Sequence, residues 1–383
     1  MRSIYKQLGQ GETIRVLKIA RSVAQIDQLY GSLQVVKLQE RPKYQALSYV
    51  WGPRGQHDPS VLIDNCPFQI STSLFQAFLK LTIGASPVTL WVDQICINQL
   101  DNAEKQQQVR LMSRVYQQAD QVICWLGVQE NNSDIAFKLL RILNLSDGMY
   151  EAYNDLVAGG YARSPADLFR PSNTLGKAVA LLFQRSWFER LWIVQEVALA
   201  NRVLVHCGAC SMEGQLFFEA ADKLFSLVSD PPEPRLQEPF HRACKLKDIR
   251  EQVTAQNKLS LPHLAQTLSS WRCENEVDRL NALLGIAFYK NPTDAWFIAQ
   301  YSLPSAESFM KFATDHIRNT GSLEILHFAG CGDYDAHVLS SNGQKVCLDM
   351  HPPADDIATW APDWRIESRP LPLLTSPGNG MTA

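Results

Sequence analysis

The chain has 383 residues, of which 46% are hydrophobic and 20% charged, with a formal net charge of −3. That is the composition of a folded globular protein with one large core or two smaller ones, and it leaves no basic footprint for nucleic acid. No window is apolar over the length of a membrane span, and the N-terminal MRSIYKQLGQGETIRV lacks the apolar core of a signal peptide; a cytosolic or nuclear location is the default expectation, with cytoplasmic taken first.

In chain order, residues 14–19 and 33–38 read as two strands, and 44–51 as a third that ends in the turn residues Gly52-Pro53-Arg54-Gly55. Residues 61–63 and 68–70 flank Asp64-Asn65 as a hairpin. Ser71 or Thr72 caps a helix whose apolar face is Leu74, Phe75, Phe78, Leu79 and Leu81. The most informative stretch follows, LWVDQICINQLDNAEKQQQVRLMSRVYQQADQVICWLG over 90–127. Its apolar run ends at Asp93, and a loop then carries Cys96, Asn98, Gln99 and Asp101. Asp101 and Glu104 have the spacing of a reciprocal helix cap, and Val109, Met112, Val115, Tyr116 and Ala119 recur at helical period. A second apolar run, 122–126, closes at Gly127. Strand, helix and strand in this length form a βαβ unit, which requires a parallel sheet. Polar groups at the carboxyl end of such a strand face the ligand crevice; these are Asp93, Cys96 and Asn98.

Further helices are expected over 133–143, 174–184, 190–199 and 213–228, with a strand at 203–207. The stretch 147–173, rich in Gly, Ser, Pro and Tyr, reads as a long connection of the kind that forms lids or pocket walls. The proline-rich SDPPEPRLQEP at 229–239 is the best internal boundary. It separates an α/β domain, 1–228, from a mainly helical region, 240–383, with helices at 241–256, 262–270, 278–288 and 305–318. The tail beyond Trp364 reads as fraying toward its end.

Three blocks carry a family resemblance: Tyr44-Gln-Ala-Leu-Ser-Tyr-Val-Trp-Gly52, the stretch 90–127, and Arg185-Ser-Trp-Phe-Glu-Arg-Leu-Trp-Ile-Val-Gln-Glu196. In this order they resemble the fungal heterokaryon-incompatibility (HET) domains over roughly the first 210 residues. A weaker echo of the family lies at 278–285 and 360–364. The resemblance implies a TIR-like or flavodoxin-like open parallel sheet, here with β-hairpin additions. It implies a crevice walled by Tyr49, Trp51, Asp93, Asn98 and Glu196, and a role in non-self recognition and cell death. Some TIR relatives hydrolyse NAD through a crevice glutamate; Glu196 is the best match for it in this chain.

Each candidate also has a structural reading. Asp93 is a crevice base or a carboxylate that organises its loop. Glu104 has a sufficient job as a capping residue, and Gln108 is expected to bind a neighbouring loop. Glu196 sits beside Gln195 in an otherwise apolar helix, where a carboxylate needs a partner; Arg185 and Arg190 are the nearby candidates, and the alternative is a pocket acid with a raised pKa. Of the aromatic residues Tyr49, Trp51, Trp91, Trp187 and Trp192, most belong to the core and a subset, with Trp51 and Trp192, would line a pocket. His206 reads as structural.

The nine cysteines, several inside apolar runs, suit reduced buried thiols. Cys207-Gly-Ala-Cys210 lacks a second ligand pair for zinc and reads as a strand-end turn. No P-loop, dinucleotide fingerprint, nucleophile elbow or zinc-protease motif occurs, so no cofactor or metal is expected. The expected partner is a small-molecule ligand, with a homo-oligomer left open. The chain runs only a short way past Ala361-Pro362-Asp363-Trp364 and shows no recognisable sensor module. Two alternatives to the nucleotide reading therefore stay open. One is a cofactor-free cyclase or pericyclase of natural-product biosynthesis acting on an apolar substrate; the other is a non-catalytic oligomerising scaffold.

Overall fold

The structure is a computed structural model. It describes residues 4–9, 11–22, 28–53, 55, 58–84, 86–145, 151, 154, 157–160, 173–227, 234–257, 259–287, 297, 301–329, 337–339, 345–347, 356–358 and 360–365. The expected lid at 147–173, the first half of the proline-rich boundary and the expected frayed tail lie largely or wholly outside these.

The chain divides into two compact units, residues 1–259 with 285–290, and residues 260–284 with 291–383. The first is α/β. Its strands are β1 (Thr13–Arg21), β2 (Leu29–Lys37), β3 (Gln45–Tyr49), β4 (Ser60–Ile63), β5 (Cys66–Gln69), β6 (Val88–Trp91), β7 (Gln121–Trp125), β8 (Val203–Cys207) and β9 (Cys210–Glu213). They form one nine-stranded sheet in the order β5-β4-β2-β1-β6-β3-β7-β8-β9. Four strands in its middle, β6, β3, β7 and β8, run parallel. By chain order these are 2-1-3-4, the arrangement of flavodoxin-like sheets. The sheet as a whole is mixed, because β1 joins β6 antiparallel and hairpins extend both edges.

The expected βαβ unit is present with one difference. β6 and β7 are not neighbours; β3 lies between them and pairs with both. The reason is apolar demand: β3 is buried along almost its whole length, and an inner position covers both of its edges. The hairpin β4–β5 turns at Asp64 and Asn65, both with left-handed backbone (φ 49° and 64°). That is the twist a two-residue turn needs, and Asn and Asp tolerate it best after glycine.

Among the described residues, the helices of this unit include α1 (Thr72–Leu81), α2 (Asp93–Cys96), α3 (Asn102–Gln118), α4 (Ser133–Leu145), α5 (Thr174–Phe183), α6 (Ile193–Ala198), α7 (Gly214–Leu227) and α8 (Pro234–Thr254). Ser71 caps α1 through Leu74 N–H, and Asp101 caps α3 through the N–H groups of Ala103 and Glu104. Helices α4, α5, α7 and α8 pack on one another, and α8 also covers α6. Their core is aromatic: Phe183 lies 5.0–5.5 Å from Phe188, Phe217 and Phe240. Truncating such a ring to alanine costs about 3–5 kcal/mol.

The second unit is mainly helical. It contains α9 (Leu261–Thr267), the first part of α10 (Asp278–Ala287), α11 (Ser305–Thr320) and a small hairpin of β10 (His337–Leu339) and β11 (Lys345–Cys347). Its Trp364 ring packs against Phe309 and Phe312 at 5.4 and 5.6 Å. Arg365 is held by both Asp363 and Asp356. No helix among the described residues is long and apolar enough to cross a membrane.

Candidate functional site

The parallel strands β3 and β7 end side by side at Tyr49 and Trp125. Outside this edge, where the connections from β3 diverge, lies the usual ligand position of an open α/β sheet. Each of the three sequence blocks delivers polar side chains to it.

The second block arrives first. Strand β6 stops at Trp91 and the chain turns at once into the single helical turn α2, which begins with Asp93. Asp93 Oδ1 accepts the N–H of Gln94 at 2.7 Å, and its Oδ2 accepts Trp51 Nε1 at 2.9 Å. Tyr49 donates its hydroxyl to Gln94 Oε1 at 3.1 Å. The first block is thus tied to the second by two side-chain bonds.

The third block is tied to the first in the same way. Trp187 Nε1 donates to Ser48 Oγ at 2.9 Å, and Arg190 Nη1 donates to the carbonyl of Tyr49. This fixes the short helix α6, which carries Gln195 and Glu196, both almost wholly buried (2% and 1% exposed). Around Glu196 stand the hydroxyls of Ser48 and Tyr116 and the charges of Arg190 and Asp93.

The electrostatics follow from that geometry. Burial pushes the Glu196 carboxyl above the ordinary glutamate range; Arg190, Ser48 and Tyr116 offset part of this, and Asp93 adds to it. Asp93 is raised as well, first by burial, against the pull of Arg190 and its hydrogen bonds from Trp51, Gln94 and Tyr49. Asp93 keeps some surface open to solvent whereas Glu196 keeps almost none. The Tyr49 hydroxyl is held well above its usual value, by burial and then by Asp93. Two carboxyls therefore share the field of one guanidinium, and neither makes an ion pair within 4 Å among the described residues.

Several buried polar atoms here lack a partner: Glu196 Oε2, Gln195 Nε2, Gln94 Nε2 and the indole nitrogens of Trp91 and Trp125. An unpaired buried polar atom costs about 1–3 kcal/mol, a cost that a bound water or ligand would relieve. Chemically the arrangement offers a buried carboxyl with a raised pKa, a second carboxyl held by Trp51 and Gln94, and the side-chain amides of Gln94 and Gln195.

Tyr49, Trp51, Asp93, Gln195 and Glu196 all belong to this region of the first unit. Asn98 is occupied elsewhere: its N–H donates to Glu104 Oε1 at 2.7 Å and its Oδ1 accepts Leu100 N–H. Trp192 is half-buried just ahead of α6. Ser48, Gln94 and Tyr116 were not singled out from the sequence. Their signal was adjacency, since Ser48 and Gln94 sit inside the first two blocks beside Tyr49 and Asp93. Arg185 and Arg190 were weighed as direct partners for Glu196. Arg185 instead binds the carbonyls of Leu126 and Val128, and Arg190 acts on Glu196 without contact.

Glu104 corrects another expectation. The capping box forms by half: Asp101 caps the helix, but Glu104 does not reach back to it. Its carboxylate takes both nitrogens of buried Arg15, at 2.6 and 2.9 Å, an ion pair being stronger than a bond to one more N–H. Gln108 Nε2 binds Thr13 O at 2.9 Å, in strand β1 rather than a loop. His206 is buried in β8 and held neutral, its pKa lowered to about 4 by burial and then by Lys80. No group of three or more metal-ligating side chains occurs among the described residues.

Comparison with known proteins agrees with the blocks. Residues 44–196 match the family model described as heterokaryon incompatibility protein (HET). The chain is 24% identical to "Heterokaryon incompatibility protein 6, OR allele" of Neurospora crassa, an alignment covering 92% of this chain and 57% of that protein. The chain thus spans little more than half the length of that curated relative. No solved structure matches it. Three blocks in order, joined to one another in space, lie within residues 44–196, the part of the chain that matches the heterokaryon-incompatibility (HET) family model.

Proposed function

We propose that the edge around Asp93 and Glu196 is a TIR-like crevice that hydrolyses the glycosidic bond of a pyridine dinucleotide, in fungal non-self recognition and cell-death signalling. The observation that carries this is the Glu196 carboxyl, almost wholly buried, with Oε2 unpartnered, beside Ser48 near the carboxyl end of β3 and within the field of Asp93.

The pyridinium ring of NAD is a cation, and a cation entering beside Glu196 favours loss of its proton. When the bond to the ribose breaks, the electron pair leaves with neutral nicotinamide and positive charge develops on the sugar, which a carboxylate at Glu196 stabilises. Asp93, nearer solvent, accepts the proton of the attacking water. Water and NAD become nicotinamide, ADP-ribose and a proton. The 2-1-3-4 order of the parallel strands supports the TIR-like reading, and the printed name of the Neurospora relative supports the biological role.

The cyclase alternative requires mostly apolar walls, and two carboxyls with a guanidinium weigh against it. Purified chain incubated with NAD is expected to release nicotinamide, detected by chromatography, and Glu196→Gln to abolish the release. No nicotinamide from the unsubstituted chain at high protein concentration rejects the proposal and leaves the scaffold reading.

A further inference from the structure

The C-x-x-C motif is unused by the crevice, yet the fold gives it a specific geometry. Strands β8 and β9 form a hairpin whose closing pair is Cys207 opposite Cys210. The two-residue turn between them is Gly208-Ala209. Gly208 has left-handed backbone (φ +54°), and a Cβ there would sit 2.6 Å from the backbone nitrogen of Gln129. Only glycine fits, and the tight turn fixes the register of the two cysteines.

Residues directly opposite in an antiparallel pair project to the same face. Their Cα atoms lie about 4.5–5.5 Å apart, inside the range of about 4.4–6.8 Å that a disulfide spans. Both are free thiols here. Cys207 is fully buried and its Sγ–H points at the carbonyl of Val128, 3.7 Å away; Cys210 keeps surface open to solvent. Burial holds the Cys207 thiol up, while the Ser133 hydroxyl and the Arg185 guanidinium favour its thiolate.

We propose that Cys207 and Cys210 are a reversible dithiol site that exchanges with small-molecule disulfides of the glutathione class. Cys210, the accessible sulfur, loses its proton and attacks one sulfur of glutathione disulfide. The S–S bond breaks, one glutathione leaves as thiolate and takes up a proton, and Cys210 holds the other as a mixed disulfide. Cys207 then attacks the Cys210 sulfur and expels the second glutathione, which leaves with the proton that Cys207 gives up. Two cysteine thiols are oxidised by two electrons, and glutathione disulfide is reduced to two thiols. A disulfide that shows one sulfur to solvent is open to attack and hence to reduction. Closing it removes the Cys207 bond to Val128, whose carbonyl also receives Arg185 of the third block.

The inference does not depend on the chemistry assigned to Glu196. Its test is incubation of the folded chain with glutathione disulfide, followed by thiol blocking with iodoacetamide and peptide mass mapping. The expected result is loss of two thiols, at Cys207 and Cys210 together, fully reversed by reduced glutathione. Cys207→Ser is expected to stop at a glutathione adduct on Cys210, and Cys210→Ser to leave Cys207 a thiol. A glutathione adduct that persists on Cys210 of the unsubstituted chain overturns the proposal. So does a pair of thiols that stays unchanged in the folded chain while the denatured chain forms the link.

Discussion

Two carboxyl groups in the first unit, Glu104 half-buried and Glu196 fully buried, make an instructive contrast. Glu104 faces Arg15, whose guanidinium also donates to the carbonyls of Lys6 and Cys96 and lies 4.9 Å from the ring of Tyr5. Glu104 in turn accepts the N–H of Asn98. Both charges find partners. Glu196, one sheet edge away, is buried more deeply with no contact ion pair and one oxygen unpartnered. The same residue type is a fastener in one place and a liability in the other. A carboxylate with a contact ion pair holds the fold, whereas a buried carboxyl without one is kept at a cost in stability, as functional groups are.

Experiments can break or sharpen this contrast. The largest effect is expected for Glu104→Ala, which strands the Arg15 charge in the interior and should cost about 3–5 kcal/mol, read by urea unfolding. A loss under about 1 kcal/mol would put Glu104 with the exposed pairs and erase the contrast. Ser48→Ala comes next. It leaves Trp187 Nε1 without its acceptor and should cost about 1–3 kcal/mol. It also removes a hydroxyl that favours the Glu196 anion, so any pH dependence carried by Glu196 should move to higher pH.

Glu196→Gln should act in the opposite direction to Glu104→Ala and stabilise the chain at neutral pH, by about 1–2 kcal/mol. The sign follows from linkage. A carboxyl with a raised folded pKa carries no penalty below its unfolded pKa of about 4, and a growing one as pH rises past it. The gain in Tm should thus be present at pH 8 and vanish below about pH 4. A loss of stability at pH 8 would mean that Glu196 is a structural ion-pair partner after all. The smallest effect is expected for Asp101→Ala, which removes the cap on α3 and should cost about 1 kcal/mol. Glu104→Ala exceeding it severalfold would confirm that Glu104 does more than cap.

The sequence itself determined the resemblance to heterokaryon-incompatibility domains, the alternation of strands and helices, the Asp64-Asn65 hairpin and the order of the three blocks. Those are local facts: turn residues need a particular backbone, apolar period selects helix or strand, and block order is written along the chain. Only the tertiary structure decided what the buried charges meet. Arg15 and Glu104 lie 89 positions apart, and no spacing rule joins a strand residue to a helix cap across that distance. The insertion of β3 between β6 and β7, the joining of Ser48 to Trp187, and the facing of Cys207 and Cys210 across a closed turn likewise depend on register and packing. Whether a charge is a fastener or a reactive group depends on the number and kind of its neighbours, and those are set by the fold in three dimensions.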